Sequence, residues 1–281
     1  MILRSNAHTH TSWCDGANTP MEMAEAAFAL GFTDLGLSSH MAETGHPGFG
    51  MQDEAGYKND VARVKKAFEG RMDILCGAER DTMSPLKAEG FDYFIGSNHY
   101  LPPQNGSYCA VDDSAECLGR ACREFYDGDW REMVRAFYDL SVQNIRENRP
   151  DIVGHFDLIK KHNTHNAIFD EESSFYRDVA LSALDEVIDI VKGYGGMVEM
   201  NMAPVYRGFR DSPCPSLFLL RHLAQRDARV IITSDSHTTA TLNGGFDIAP
   251  SLLQKAGFSK MAILYKGAFV DTSIEDGAIS R

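Results

Sequence analysis

The chain has 281 residues, of which 43% are hydrophobic and 24% charged, and its formal net charge is −13. This composition is typical of a soluble globular protein with a large core, either two ordinary domains or one large α/β barrel. The negative charge repels a phosphate backbone and argues against a dedicated binder of long nucleic acids. The six cysteines include no C-x-x-C pair, and neither a signal-peptide pattern nor a membrane-length apolar run is present. We therefore expect reduced thiols, a cytoplasmic location and no membrane partner.

Short β-rich runs alternate with helical patterns along the chain, which predicts parallel βα units. Strands are predicted at 2–8, 34–40, 72–79, 91–99, 151–155, 196–201, 228–237 and 261–266. Helices are predicted at 19–31, 52–69, 129–147, 175–192, 216–226 and 248–256. The first helix has the clearest boundaries: Thr19 and Glu22 form a capping-box pattern, Pro20 takes the first helical position and Gly31 marks the end.

The region after the fourth predicted strand is less regular. Residues 100–128 are expected to form an irregular segment with a short helix near 114–123, and we assign an insertion around 100–150. No linker-like composition divides the chain. We therefore predict one domain over residues 1–281.

Nearly every predicted strand ends at or near a side chain that can bind a metal. These residues are His8 and His10 at the first strand, His40 at the second, Glu79 at the third, His99 at the fourth, His155 at the fifth, and Asp235 and His237 at the seventh. In an α/β barrel the carboxyl ends of all strands meet at one rim. Imidazole and carboxylate ligands together suit zinc, iron or manganese better than magnesium. So many ligands indicate two or three metals close together.

Each residue taken alone has an ordinary explanation. A single histidine at a strand end is more often hydrogen-bonded than metal-bound, Glu79 alone suits a salt bridge, and Asp15 in C-D-G suits a turn. These explanations fail jointly, because they require acids and histidines at six strand ends by accident. Four further histidines lack this placement and are expected outside the cluster: His46, His162, His165 and His222.

The segments HTHTSWCDG, LSSH, GAE, GSNH, GHFDLIKK and SDSH resemble successive motifs of the polymerase and histidinol phosphatase (PHP) family. The resemblance extends from residue 6 to about residue 260 and is nearest to the histidinol-phosphate phosphatase branch. It implies a distorted (β/α)7 TIM-like barrel of the PHP type, with a trinuclear metal centre.

The same resemblance implies how the ligands divide among three metals. His8, His10, Glu79 and Asp235 would surround the first. Glu79 would bridge to a second metal, held by His99 and His155. Asp15, His40 and His237 would hold the third, although many relatives carry a histidine where Asp15 falls.

A cluster of this kind suits phosphate-ester hydrolysis, because bound metals lower the pKa of water from about 15.7 toward about 7. A metal-bridging hydroxide held by Glu79, Asp235 and His237 is the expected nucleophile. No G-x-S-x-G motif or phosphatase-type cysteine loop competes for this role.

The phosphate and the alcohol each need partners at the rim. Candidate phosphate contacts are Lys160, Lys161, Arg207 and Arg210, of which the resemblance favours Lys160 and Arg207, and Asn201 could orient the loop or the substrate. For each of the four charged residues, an ordinary surface charge is an equally good explanation. For the alcohol, Glu43 could receive a cationic amine and Tyr100 and Tyr108 could pack on an imidazole, while ordinary surface and packing roles explain them as well.

The expected function is therefore a metal-dependent phosphomonoesterase acting on a small phosphorylated substrate, L-histidinol phosphate, in histidine biosynthesis. One alternative is another PHP phosphoesterase acting on nucleotides or oligonucleotide ends. A second alternative is a non-catalytic metal-binding barrel, which the complete ligand set argues against.

Overall fold

The computed structural model describes residues 3–274 except 45, 47 and 86. Its β-strands are β1 (Ser5–Asn6), β2 (Asp34–Leu37), β3 (Asp73–Asp81), β4 (Tyr93–Ser97), β5 (Ile152–Val153), β6 (Met197–Asn201), β7 (Val230–Thr233), β8 (Lys260–Tyr265) and β9 (Ala268–Ser273). Several are shorter than predicted, and the candidate metal ligands often follow a strand end instead of ending the strand. Residue 2, the predicted start of the first strand, lies outside the described residues.

The helices are α1 (Pro20–Ala29), α2 (Glu54–Ala67), α3 (Ala115–Phe125), α4 (Trp130–Asn148), α5 (Ser174–Lys192), α6 (Ala203–Tyr206), α7 (Leu217–Gln225) and α8 (Ala249–Ala256). The seven predicted helices match α1–α5, α7 and α8 to within two residues at each end. The capping box of α1 is also confirmed: the Thr19 hydroxyl accepts from the Glu22 N–H at 3.3 Å, and Glu22 accepts from the Thr19 N–H at 2.7 Å.

The strands pair in chain order, with β1 to β8 parallel and β9 antiparallel to β8. Ladders between these strands do not close the sheet, but a parallel bridge joins Thr9, after β1, to Ser236, after β7. There the His10 N–H donates to the Ser236 carbonyl at 2.7 Å. This bridge brings the segments after β1 and β7 together at the carboxyl rim, as in a TIM-like barrel, and the predicted α/β fold is confirmed. All described strands join this sheet, so we retain one domain as a proposal.

The β8–β9 hairpin is a feature that the sequence analysis missed. Its two-residue turn, Lys266–Gly267, has positive φ at both positions (53° and 73°), as a type I′ turn requires. Lys-Gly is a weaker turn signal than Asn-Gly, and no strand is predicted after 261–266.

The region predicted as an insertion contains a hairpin that we call the rim hairpin (residues 99–111). Its strands pair through the Leu101 N–H to the Cys109 carbonyl (3.1 Å) and the Val111 N–H to the His99 carbonyl (2.8 Å). The short helix α3 follows it. The last part of the predicted insertion is α4, which packs against β4 and α5 as a crossover helix.

An inner apolar cluster fills the barrel beneath the carboxyl rim. It contains Ala7, Leu75, Tyr93, Ile95, Ile152, Met197, Ile231, Ala262 and Leu264. Tyr93 crosses the interior and donates its hydroxyl to the Ala7 carbonyl at 2.5 Å. This crossing requires glycine at two positions. A Cβ at Gly36 of β2 would lie 2.1 Å from the Tyr93 hydroxyl, and a Cβ at Gly77 of β3 would lie 2.4 Å from the Tyr93 ring.

A larger apolar core lies between the strands and the surrounding helices. Within it, Tyr57 of α2 donates to the carbonyls of Leu37 (2.8 Å) and Gly77 (3.0 Å), and so ties the helix to β2 and β3. Among the described residues, no helix has the length and hydropathy that crossing a membrane requires.

Gly77→Ala should lower the free energy of unfolding by about 1–3 kcal/mol, because the added methyl group overlaps the buried Tyr93 ring. Gly119→Ala is the matched control. Gly119 lies in α3, where an added Cβ would meet only Arg123 Nη1 at an ordinary contact distance of 3.6 Å, so the same change should raise the free energy by about 0.5–1 kcal/mol. Urea denaturation of both variants tests this, and equal effects would contradict the packing argument.

Candidate metal centre

Regular spacing along three strands brings candidate ligands into the barrel mouth. In each strand a candidate ligand follows a residue of the inner apolar cluster by four positions. The pairs are Leu75 and Glu79, Ile95 and His99, and Ile231 and Asp235. Because side chains alternate between the two faces of a strand, an even spacing keeps both residues on the inner face. The polar layer therefore lies directly above the apolar one.

Glu79 lies at the centre of this layer and is 1% exposed. Five imidazoles each place a ring nitrogen near one of its carboxylate oxygens. They belong to His8 (3.0 Å), His155 (3.0 Å), His10 (3.3 Å), His40 (3.3 Å) and His99 (3.7 Å). A carboxylate offers about four lone-pair positions, fewer than the imidazoles around it. Such crowding is typical of ligands that share metal ions.

The remaining three predicted ligands complete the cluster. Asp235 lies 3.2 Å from His10 Nε2, and Asp15 lies 3.2 Å from His237 Nε2. Asp235 has a φ of 51°, a left-handed backbone conformation that is uncommon for a residue other than glycine and clusters at functional sites. The structure thus brings all nine predicted ligands together.

The donor atoms of the cluster fit metal ions. His10 Nε2 and His40 Nδ1 are buried and make no hydrogen bond among the described residues. His10 Nε2 is nevertheless 3.2 Å from an Asp235 oxygen, so these atoms converge without the geometry of a hydrogen bond. Buried polar atoms without partners are costly, and a shared cation would satisfy them.

The donors form four sets, and the donor atoms within each set all lie within 4.8 Å of one another. They are His10, Asp15, His40 and His237; His8, His10 and Glu79; Glu79, His99 and His155; and His40, Glu43 and His99. The first three sets contain most of the residues that are predicted to hold the three metals. Their mixture of imidazole and carboxylate is the donor set of zinc, iron and manganese.

The cluster keeps its carboxylates ionised. Burial raises the pKa of Glu79, but His40 and His8 outweigh this effect and hold the pKa well below its usual range. Burial also raises the pKa of Asp235, and His8 and His10 again lower it well below its usual range. Burial lowers the pKa of His40 to about 3. At neutral pH Glu79, Asp235 and His40 are therefore in the protonation states that bind metals. Burial lowers the pKa of His8 and His10, but neighbouring acidic groups outweigh this effect and hold the pKa well above its usual range, so both imidazoles would release a proton on binding a metal.

Glu199 is a buried carboxylate of the site that the sequence analysis missed. It accepts from the His155 N–H at 2.6 Å and from the Thr233 hydroxyl at 2.6 Å, and it lies 2.8 Å from His8 Nδ1. A carboxylate behind a metal-binding imidazole fixes its tautomer and orientation. The signal was present in the spacing, since Glu199 follows Met197 of the inner apolar cluster by two residues.

Asp81 supports His99 in the same way. Its carboxylate lies 3.0 Å from His99 Nδ1 and accepts from the His99 N–H at 2.8 Å. Asp81 follows Glu79 by two residues, so the same alternation could have identified it. Asn201 donates to Asp235 at 3.1 Å and to Glu199 at 3.0 Å, and therefore positions carboxylates of the site.

A cavity of about 300 Å³ opens above the cluster and includes two of the predicted cationic residues, Arg207 and Lys161. Arg207 Nη2 donates to the Asp235 carbonyl at 2.8 Å and lies 2.7 Å from His237 Nδ1. Lys161 lies 3.2 Å from the Asp112 carboxylate, also in the cavity wall. Two positively charged side chains therefore lie beside the cluster.

The other two predicted phosphate contacts, Lys160 and Arg210, do not line this cavity. Lys160 is fully buried against Asp157 (3.0 Å) and donates to the Ser216 hydroxyl at 2.6 Å. Arg210 donates to the Lys160 carbonyl at 3.1 Å and pairs with Glu171 at 2.6 Å. In this structure both residues bind the loops to one another, and neither is proposed as a substrate contact.

Glu43 and Tyr100 lie together on the cavity wall next to His40 and His99. The Tyr100 hydroxyl donates to Glu43 at 2.7 Å. Burial raises the pKa of Glu43 to about 8, and an approaching cation would favour its ionised form. Tyr108 packs edge-on against Tyr100 and is itself exposed.

The four histidines expected outside the cluster have other surroundings. His222 pairs with Asp185 at 2.7 Å, and His162 lies 2.8 Å from the Asp112 carbonyl. His165 is exposed in a turn, while exposed His46 borders the cavity. None of the four joins a donor set among the described residues.

Comparison with known proteins supports one family. The family model for the PHP domain matches residues 6–203. The curated "Probable histidinol-phosphatase" of Schizosaccharomyces pombe is 25% identical over 225 residues, which cover 75% of this chain and 69% of that protein.

Two solved structures share the fold. The hisK protein of Listeria monocytogenes has a TM-score of 0.68 at 19% identity, covering 86% of this chain and 98% of that one. The histidinol phosphate phosphatase of Lactococcus lactis, solved with zinc, L-histidinol and phosphate, has a TM-score of 0.67 at 18% identity, with coverages of 95% and 98%. Since the domain match extends over more than half of the sequence and contains seven of the nine clustered ligands, this chain belongs to the PHP domain family.

Proposed function

We propose that this chain is a metal-dependent phosphomonoesterase that hydrolyses L-histidinol phosphate to L-histidinol and phosphate, a reaction of histidine biosynthesis. The observation that carries the proposal is the nine-residue cluster beneath a cavity that also presents Arg207 and Lys161. Membership of the PHP domain family supports it, as do the name of the Schizosaccharomyces pombe relative and the ligands bound to the Lactococcus lactis neighbour.

We propose two or three ions of zinc, iron or manganese as the cofactors. His8, His10, Glu79 and Asp235 would hold the first, Glu79, His99 and His155 the second, and Asp15, His40 and His237 the third. Divalent metals bound there would lower the pKa of bound water toward about 7 and neutralise phosphoryl oxygens. Glu79, Asp235 and His237 would hold the attacking water, while Glu199 and Asp81 keep the imidazoles in place.

Arg207 and Lys161 would bind the phosphate group of the substrate. The Nη1 group of Arg207 makes no hydrogen bond to any described residue, although Nε and Nη2 are both engaged. The guanidinium is therefore held in position while its Nη1 group can still donate. The planar arrangement of guanidinium donors suits phosphate oxygens. Lys161 would exchange part of its contact with Asp112 for the phosphate.

Glu43 would recognise the cationic amine of the alcohol. Glu43 is 6% exposed beside the cavity, where burial disfavours the ionised form of its carboxyl group. A substrate amine placed there would relieve this cost, and the Tyr100 hydroxyl would keep the carboxyl group oriented. The pocket would then favour phosphate esters that also carry a positive charge.

Metal-loaded protein should hydrolyse L-histidinol phosphate with a kcat/KM at least about 100-fold above that for AMP, because AMP offers no positively charged amine to Glu43. Glu43→Gln should reduce this ratio about tenfold or more, through the loss of a charged hydrogen bond. Phosphate release from both esters and from a single-stranded oligonucleotide is the measurement. A preference for AMP or the oligonucleotide would overturn the proposed substrate, and no release from any ester by metal-loaded protein would overturn the enzyme.

His10→Ala should lose bound metal and reduce kcat at least about 100-fold, because His10 belongs to two donor sets. His222→Ala removes an imidazole outside the cluster and should change neither quantity. Elemental analysis, circular dichroism and turnover are measured on both proteins. A folded His10→Ala protein with full metal content would contradict the assignment.

Arg207→Ala should raise KM for L-histidinol phosphate about tenfold or more, since a charged hydrogen bond contributes about 1.5–3 kcal/mol. Arg210→Ala is the contrasting variant, because Arg210 binds the loops together: it should lower Tm and leave KM within twofold. Steady-state kinetics and thermal denaturation separate the two effects. An unchanged KM for Arg207→Ala would remove this residue from the substrate site.

A further inference from the structure

Two cysteines outside the metal cluster face each other near the cavity rim. The Sγ atoms of Cys109 and Cys117 are 3.3 Å apart. Cys109 lies on the rim hairpin, opposite Leu101, and Cys117 lies in the first turn of α3. A disulfide bond has a length near 2.05 Å, so the two sulfurs need to approach by only about 1.3 Å.

The two thiols differ in their surroundings. Cys109 is 3% exposed, and burial raises the pKa of its thiol. Cys117 is partly exposed, and Arg120 Nη2 lies 4.0 Å from its sulfur. Its N–H donates to the capping hydroxyl of Ser114 at 3.1 Å, which places it at the positive end of the helix dipole. Positive charge stabilises a thiolate, the form that reacts with oxidants.

The remaining cysteines lack this arrangement. Cys76, Cys122 and Cys214 are buried, and Cys14 lies 3.5 Å from His10 Nδ1. Among the described residues, none of these four has a sulfur atom as a contact partner. A pair with one accessible and one buried member is instead typical of redox-sensing thiols in reducing compartments.

We propose that Cys109 and Cys117 are a reversible redox site that forms a disulfide bond on exposure to hydrogen peroxide. The Cys117 thiolate attacks one peroxide oxygen and breaks the O–O bond, giving a sulfenic acid and, after protonation, one water. The Cys109 sulfur then attacks the Cys117 sulfur and displaces the hydroxyl group, which leaves as a second water with the Cys109 proton. The two thiols lose two electrons and two protons, and peroxide is reduced to two waters. A dithiol reductant restores both thiols.

The disulfide would join the rim hairpin to α3 across the segment that carries Asp112. The Asp112 carboxylate lines the cavity and lies 3.2 Å from Lys161. The redox site therefore adjoins the cavity wall. Its chemistry does not depend on the proposed function.

The test treats the metal-loaded full chain with hydrogen peroxide, blocks free thiols with N-ethylmaleimide and maps tryptic peptides by mass spectrometry. No lysine or arginine lies between Lys87 and Arg120, so both cysteines fall in one peptide, 88–120, while Cys122 falls in 121–123. We expect the first peptide to be two hydrogens lighter and unlabelled, and to become labelled twice after dithiothreitol. Full labelling of 88–120 at doses that oxidise Cys122 would overturn the proposal.

Three variants test the roles of the two thiols. In Cys109→Ser, dimedone should trap a sulfenic acid on Cys117, whereas Cys117→Ser should give no adduct on Cys109. Arg120→Gln should slow disulfide formation about threefold or more, and Arg123→Gln, an exposed change on the same helix, should not. Dimedone on Cys109 alone, or equal rates for the two arginine variants, would overturn the mechanism.

Discussion

One buried carboxylate, Glu79, sets the requirements for the rest of this barrel. Removing an ionised carboxylate from water costs several kcal/mol unless opposite charge compensates it. Five imidazoles approach Glu79 at 3.0–3.7 Å, and they come from segments far apart in the chain. The parallel strand order, the inner apolar cluster and the glycines beside Tyr93 all serve to bring these segments to one depth.

Two of these imidazoles are themselves held by a second carboxylate. Glu199 faces His8 and Asp81 faces His99, so each ring has one nitrogen tied to the scaffold and the other directed toward the cluster. The site is thus built in two layers of carboxylates, with Glu79 and Asp235 among the rings and Glu199 and Asp81 outside them. This arrangement fixes ring orientation without relying on the loops.

The sequence predicted the fold class, the helix limits and the nine residues that the structure brings together, because strand-end position and period-two spacing are local properties. Glu199 was missed because it lies inside a strand, where an acidic residue reads as an interruption. The choice between Lys160 and its neighbour Lys161 was out of reach for a different reason. Lys160 is the buried lysine because it pairs with Asp157 and donates to Ser216. Ser216 lies 56 positions away along the chain, so no local pattern encodes that contact.

The bridge between Thr9 and Ser236 joins segments that lie far apart along the chain. His8 and His10 stand on one side of it, and Asp235 and His237 on the other. A growing polypeptide therefore cannot assemble the complete set of donors until His237 has left the ribosome. A full complement of ions would consequently bind only after these two distant segments have come together.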